Sequence, residues 1–291
     1  MSEASIAVFG EVLFDQFPDG ASVLGGAPFN IAWHLQAFGE SPRFISRIGN
    51  DEEGEQIVAA MHDWGMRTDS LQRDSKLPSG RVSVTLENGQ PSYDIVHPCA
   101  YDAIEKPDLA SESLLYHGSL ALRSAQTRAA FDTLRAGSRS QIFFDVNLRS
   151  PWWNKTDLLS WLKQASWVKL NDEELALLGP TGNRDAAAVE AMFERNQLEG
   201  LIVTYGAEGA ALRTRNEPLI HVSPERDVAV VDTVGAGDAF AAVCLLGILR
   251  EWSSYEIISR AQAFASRVVG QRGATSADKG LYAPFISAWS L

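Results

Sequence analysis

The 291-residue chain has only two cysteines, Cys99 and Cys244, and no C-x-x-C pair or other metal-site spacing. Disulfide stapling is therefore not expected, a reduced cytoplasmic setting is, and Cys244, inside a long apolar run, reads as a small core side chain. Basic residues are also few: 25 Lys and Arg stand against 37 Asp and Glu, a formal net charge of −12. Nucleic acid and anionic membranes need a basic surface, so neither is an expected partner. No stretch approaches the roughly 20 apolar residues of a membrane-spanning helix. The first residues lead into an extended run, SIAVFG at 5–10, without the charged and apolar regions of an export leader. A G-x-x-x-x-G-K-[ST] phosphate loop is missing, as are internal repeats and low-complexity linkers. What is present is 45% apolar residues with mixed charge, enough for one large core carrying an appendage.

After SIAVFG, Val12, Phe14 and Phe17 suggest a second extended piece, with Asp15 on the face opposite Phe14 and Gln16. Asp19-Gly20 reads as a turn. Gly25-Gly26 precede a helix, FNIAWHLQAFG, with Pro28 at its start and Ile31, Leu35 and Phe38 on one face. His34 on that helix faces either solvent or a partner element. RFISRIG (43–49) is a strand, and a helix follows from Gly54 to Trp64. The rhythm then changes. RVSVTLENGQPSYDIVHP (81–98) alternates apolar and polar residues about Asn88-Gly89, a strong hairpin signal. With 11–24 it forms an expected small antiparallel β lid (11–24 and 80–99) over a body made of 1–10, 25–79 and 100–291.

From about 113 strands and helices alternate. Strands are expected near 114–120, 141–146, 166–170, 200–204 and 227–231. Helices are expected near 124–136, 155–164, 172–178, 184–196, 236–250 and 254–271. That alternation implies an α/β fold, a doubly wound and mainly parallel sheet with helices on both faces and ligands beyond the strands' carboxyl ends.

One strand end is richer than the rest: DTVGAGDAF, 232–240. It leads into AFAAVCLLGILR, which only a buried helix explains. Gly235, Ala236 and Gly237 can wrap several N–H groups round one anion, and the helix dipole adds to that pull. Asp238 then sits in the first turn beside the anion, an arrangement suited to proton abstraction during phosphoryl transfer. Two other readings stay open on these residues. One is a packing turn with a helix-start charge. The other is a dinucleotide fingerprint, here with Phe240 in place of the third glycine. Asn171 with Glu174 three residues on reads as a capping box by sequence.

Taken together, the strand-end motifs resemble the ribokinase-like (PfkB-type) carbohydrate kinases over almost the whole chain. GGAPFN (25–30) and DTVGAGDAF carry most of the likeness. GNDEEG (49–54), DVNLR (145–149), NDEE (171–174), VTYGAEGA (203–210) and GATSA (273–277) support it. The resemblance implies an ATP- and Mg²⁺-dependent sugar kinase. Asp238 is then the general base, with Gly235, Ala236 and Gly237 as the anion hole. It implies that Asp15, Gly25, Gly26 and Asn30 hold the sugar. Asn171 and Glu174 order Mg²⁺ through water near the phosphates, and Thr204, Gly206 and Gly209 form the nucleotide side. Asp232 with 268–276 resembles a monovalent-cation site, often K⁺, although Val234 stands where Thr is common. GGAPFN and DVNLR, followed by Pro151-Trp152-Trp153, are similar to the fructokinase branch, with Arg149 reaching substrate or phosphate or else lying in solvent. Fructose is the expected sugar, ahead of 2-keto-3-deoxygluconate or another ketose. An exposed hairpin lid implies a homodimer through that lid. The rivals are a dinucleotide oxidoreductase and a sugar-binding regulator without catalysis.

Overall fold

Strands that are apolar on both faces need helices over each face, and the chain supplies them in alternation. The computed structural model describes residues 5–18, 20–87, 90–108, 112–224 and 230–291. It runs β1 (Ile6–Phe9), β2 (Leu13–Gln16), β3 (Ser22–Gly25), α1 (Ala27–Ala37), β4 (Arg43–Gly49), α2 (Glu52–Asp63), β5 (Leu71–Asp74), β6 (Gly80–Glu87) and β7 (Gln90–Ile95). Next come β8 (Leu114–His117), α3 (Ala125–Ala136), β9 (Gln141–Asp145), α4 (Lys155–Leu162), β10 (Trp167–Asn171), α5 (Asp172–Leu178), α6 (Ala186–Asn196) and β11 (Gly200–Thr204). β12 (Ala210–Thr214), β13 (Ile220–Val222), α7 (Ala236–Leu249), α8 (Ser254–Val268) and α9 (Ala283–Trp289) complete it.

Among the described residues the main sheet has nine strands in the order β13-β12-β11-β10-β9-β8-β1-β4-β5. Neighbours from β11 to β5 pair parallel, whereas β12 pairs antiparallel with β11 and β13 with β12. The chain leaves β1 towards β4 on one side and returns as β8 on the other. Strand order therefore reverses at β1, which opens a crevice beyond its carboxyl end.

α1, α7 and α8 cover one face, where Ile6, Val8, Phe29, Phe44, Val243 and Phe264 are buried together. α7 is buried from Ala239 to Gly247 because it is apolar all round and is enclosed between the sheet, α1 and α8. On the opposite face Phe9, Ile45, Leu115, Phe131 and Ile142 pack together. Each such large side chain contributes about 1.5–3 kcal/mol on burial. His34 is the buried alternative of the two open for it: Nδ1 lies 3.0 Å from Tyr282 Oη and Nε2 3.0 Å from the Ala274 carbonyl.

The second sheet has the order β3-β2-β6-β7. Two antiparallel hairpins, β2–β3 and β6–β7, are joined by a parallel pairing of β2 with β6. Its inner side carries Leu13, Val82 and Ile95, and all three are buried. Asp51 holds its base: Oδ2 accepts from Ser79 N at 2.7 Å and Oδ1 from Ser79 Oγ at 2.6 Å. The expected Asn88-Gly89 turn, and Asp19 of the Asp19-Gly20 turn, lie outside the described residues.

Two expectations need correction. The strand near 227–231 falls largely outside the described residues, and its last two, Val230 and Val231, are exposed and not in a strand. The amides of Val231 and Asp232 donate instead to the Val269 carbonyl just past α8. α8 also ends at Val268 rather than 271, because Gly270 and Gln271 take tighter turn bonds to Arg267 and Val268.

Candidate active site

A cavity of about 660 Å³ opens at the point where strand order reverses, between the carboxyl ends of β1, β8 and β9, the small sheet, and the start of α7. Seven of the expected site residues line it: Asp15, Gly26, Asn30, Arg149, Gly235, Gly237 and Asp238. Gly25 lies just behind, since a Cβ placed on it would sit 3.5 Å from Asp15 Oδ2 and 4.0 Å from Asn30 Oδ1.

Two glycines are required by geometry. Gly26 has φ +105°, and a Cβ there would meet the Glu11 carbonyl at 2.9 Å, so α1 can begin directly against the end of β1. Gly235 has φ +80°, and its Cβ would overlap Ala274 at 2.3 Å. The loop around 273–276 therefore closes on the back of the turn and fixes the first turn of α7.

Asp238 lies in that first turn, half-buried and lining the cavity. Its Oδ2 accepts from Asn30 Nδ2 at 2.8 Å, a bond across 208 residues that ties α7 to α1. Burial pushes its pKa above the ordinary Asp value; the Asn30 bond opposes this, Asp145 reinforces it, and Lys169 and Arg149 oppose it. Of the three expected anion-hole residues, Gly235 and Gly237 line the cavity. Ala236 does not, and its amide already makes a long 3.3 Å bond to the Thr233 carbonyl.

The expected nucleotide-side residues lie outside this cavity, at the ends of β10 and β11 and in the turn into β12. Asn171 ends β10, Thr204 ends β11, Gly206 opens a short turn, and Gly209 precedes β12. The capping box at α5 is real: Asn171 Oδ1 accepts from Glu174 N at 2.8 Å, and Glu174 Oε2 accepts from Asn171 N at 2.9 Å. Glu174 Oε1 also accepts from Leu148 N at 2.7 Å, joining α5 to the cavity rim. Burial raises its pKa, against those two amide bonds. Each oxygen keeps a lone pair free for a hydrated cation. Asp232, on the far side of the turn, accepts from Val234 N at 3.0 Å and Gly273 N at 3.1 Å. Among the described residues no cluster of three or more acidic, His or Cys side chains could hold a metal by itself.

Several lining residues were not anticipated. Lys169, inside β10, places Nζ 3.0 Å from both oxygens of Asp145, and both side chains are buried. A Cβ on Gly237 would lie 3.8 Å from that Nζ, which puts the cation directly beneath the anion-hole turn. A lysine within the apolar strand WVKLN was the available signal, since a buried charge needs a partner. Glu11, just past β1, is 4% exposed, and burial pushes its pKa up to about 7. Asn147, at φ +37°, and the 118–120 turn complete the wall.

A doubly wound sheet, a covering β sheet and a carboxylate standing at a glycine turn beside a cavity of about 660 Å³ define a group-transfer enzyme of the α/β type. The chain belongs to the pfkB family of carbohydrate kinases, whose model matches residues 5–279. It is 31% identical to a fructokinase of Escherichia coli, over 94% of this chain and 96% of that protein. Fructokinase-2 of rice is 30% identical, over 86% of this chain and 81% of that protein. A crystal structure of a double mutant of Vibrio cholerae fructokinase with fructose, ADP and potassium shares the fold, at TM-score 0.82 and 24% identity, over 97% of this chain and 98% of that one. Membership removes the dinucleotide reading. The geometry agrees, because the residues just before the glycine turn are not in a strand, as that fingerprint requires.

Proposed function

We propose that this protein is an ATP-dependent fructose kinase. The observation that carries the reading is Asp238 in the first turn of α7, held by Asn30 and opening on the cavity that Asp15 and Arg149 also line. Its relatives in E. coli and rice are fructokinases, which favours fructose over another ketose or 2-keto-3-deoxygluconate.

In this reading a sugar hydroxyl rests against Asp238, which takes its proton as the oxygen attacks the γ-phosphorus. The bond to the β–γ bridging oxygen breaks and ADP leaves. Positioning and charge stabilisation supply most of the acceleration in such transfers, so amide donors at Gly235 and Gly237 suit it, and Ala236 joins them only by giving up its long bond to the Thr233 carbonyl. Lys169, fixed by Asp145, adds positive potential under that turn without side-chain rearrangement. Asp15, Gly25, Gly26 and Asn30 hold the sugar, and Arg149 compensates the carboxyl groups around it. Asn171, Thr204, Gly206 and Gly209 take the nucleotide. Mg²⁺, which would offset phosphate charge, fits beside Glu174 through water, and Asp232 is the candidate for a K⁺ site. The small sheet, residues 11–24 and 80–99, acts as a lid on the remaining body and excludes water that would otherwise accept the phosphoryl group. Phe17 and Val23 are exposed on it, at 40% and 42%, and support pairing of two lids in a homodimer. A cytoplasmic setting accords with the reduced cysteines.

The test is ADP formation from ATP and Mg²⁺ with a panel of ketoses, aldoses and nucleosides. Fructose should give the highest kcat/KM. No sugar-dependent ADP from any member would reject the kinase reading and leave a sugar-binding regulator.

A further inference from the structure

Two buried acceptor atoms at the cavity have no hydrogen-bond partner in the protein: Asn30 Oδ1 and Glu11 Oε2. Asn30 already belongs to the sugar site, but Glu11 has no place in the reading above. Its position is strictly determined, because the Gly26 backbone packs on its carbonyl and β2 begins two residues later. A buried carboxyl group normally has its oxygens paired, since leaving one unmet costs stability, and an exception at a cavity wall points to a ligand that completes it.

The charges around it say what kind of ligand. Glu11, Asp15 and Asp238 all line the cavity, and Lys169, paired with Asp145, acts on Asp238 alone of the three. Arg149 remains, and it is the cation that eases all three carboxyl groups. Such a site welcomes hydroxyl groups, which both donate and accept, and repels a carboxylate.

We propose that Glu11 is a specificity-determining residue, hydrogen-bonded to a hydroxyl of a neutral polyhydroxy sugar and, with Asp15, turning away sugars that carry a carboxylate. This rests on the sugar-kinase reading. The exposed Arg149 then serves as counter-charge to the wall and not as an anchor for an acidic substrate.

The experiment compares the wild-type protein with Glu11→Ala and Glu11→Gln, using ADP release with fructose and with 2-keto-3-deoxygluconate, and calorimetric titration of fructose without ATP. Loss of a hydrogen bond to a charged group predicts a rise of about 10-fold or more in fructose KM and Kd for Glu11→Ala, with ATP KM unchanged. Glu11→Gln keeps the size and removes the charge, so its kcat/KM ratio of acidic to neutral sugar should rise about fivefold or more. A merely structural role would move melting temperature and leave that ratio alone. Should Glu11→Ala fail to fold, the isosteric Gln variant decides. Fructose Kd within twofold of wild type and an unchanged ratio in folded Glu11→Gln would overturn the assignment while sugar-dependent ADP release by wild type still upheld the kinase. If wild type released none with any sugar, the kinase reading and this inference would fall together.

Discussion

Replacing Asp238 by Asn removes the proposed base while changing little else. Asn30 Nδ2 donates to Asp238 Oδ2 at 2.8 Å, and the new side chain can present its amide oxygen to the same donor. Its NH₂ group then faces the cavity, where it has no lone pair to take a proton. Loss of a positioned general base lowers turnover by about 10²–10⁴-fold, or roughly 3–5 kcal/mol of barrier. Stability should not follow, because burial already disfavours the Asp238 charge and the neutral amide relieves that penalty. The assay is ADP release coupled to NADH oxidation, with product phosphate followed by ³¹P NMR, on protein whose melting curve matches wild type. Fructose and ATP should still bind within a fewfold of wild-type affinity. Wild-type kcat/KM should fall on the acid side at a pH above the ordinary Asp range, as the raised pKa requires. Turnover of folded Asp238→Asn within threefold of wild type would refute the base assignment, whatever became of binding.

Lys169→Met strands the buried Asp145 carboxylate and should cost about 3–5 kcal/mol in a urea melt. Adding Asp145→Asn should restore most of that stability but not the lost turnover, if the cation also serves the phosphoryl group. Glu174→Gln can satisfy only one of the amides of Asn171 and Leu148, so about 1–2 kcal/mol of stability should be lost; a half-saturating Mg²⁺ concentration unchanged within twofold would reduce Glu174 to a helix cap. Stability against pH reports on Glu11 and His34 in opposite directions. Burial raises Glu11 from 4.5 to about 7, against its own backbone amide and Arg149 and with help from Asp238. Its protonated form favours the fold fully below pH 4.5, and that contribution of about 3 kcal/mol disappears as pH rises through 7. Glu11→Gln without sugar should therefore exceed wild type in stability at pH 8 and match it near pH 4.5. Burial lowers His34 from 6.5 to about 4, so its neutral form supports the fold above pH 6.5 and is lost as pH falls through 4. His34→Gln should flatten the acid limb of the melting profile between those values.

The alternation of apolar strands and helices was readable because each element obeys one period. RFISRIG became β4 with the expected bounds, and α5 occupies 172–178 as anticipated. The alternating run after Arg81 likewise announced a sheet with one covered face, and β6 and β7 form it. What could not be read was pairing between distant segments. β2 joins β6 in parallel, 67 residues along from Leu13 to Gly80, through no local signal at all. The stretch before α7 misled for the opposite reason. DVAVV has strand composition, but Val230 and Val231 stand exposed where the backbone reaches for the end of α8. Propensity there is overruled by where the chain must go next.

The site divides along the same line. Residues picked from a local motif can be placed: Asp238, from its glycine turn, and Asn30 and Gly26, from the GGAPFN segment, line one cavity, and Asn171 with Glu174 form a capping box. Lys169 and Glu11 were not, because what makes them unusual is their surroundings. Lysine in a strand becomes a fixed cation only when Asp145 on the neighbouring strand meets it, and the two are brought together by the pairing of β9 with β10. Glutamate after a strand is pushed toward its neutral form only when a glycine helix start seals it in and three carboxyl groups share Arg149. Local geometry can be inferred from spacing, but an electrostatic field belongs to the assembled set. Under the proposed role of Glu11, a residue that feels that field also sets substrate choice, and changing its charge at constant shape, as in Glu11→Gln, separates field from packing.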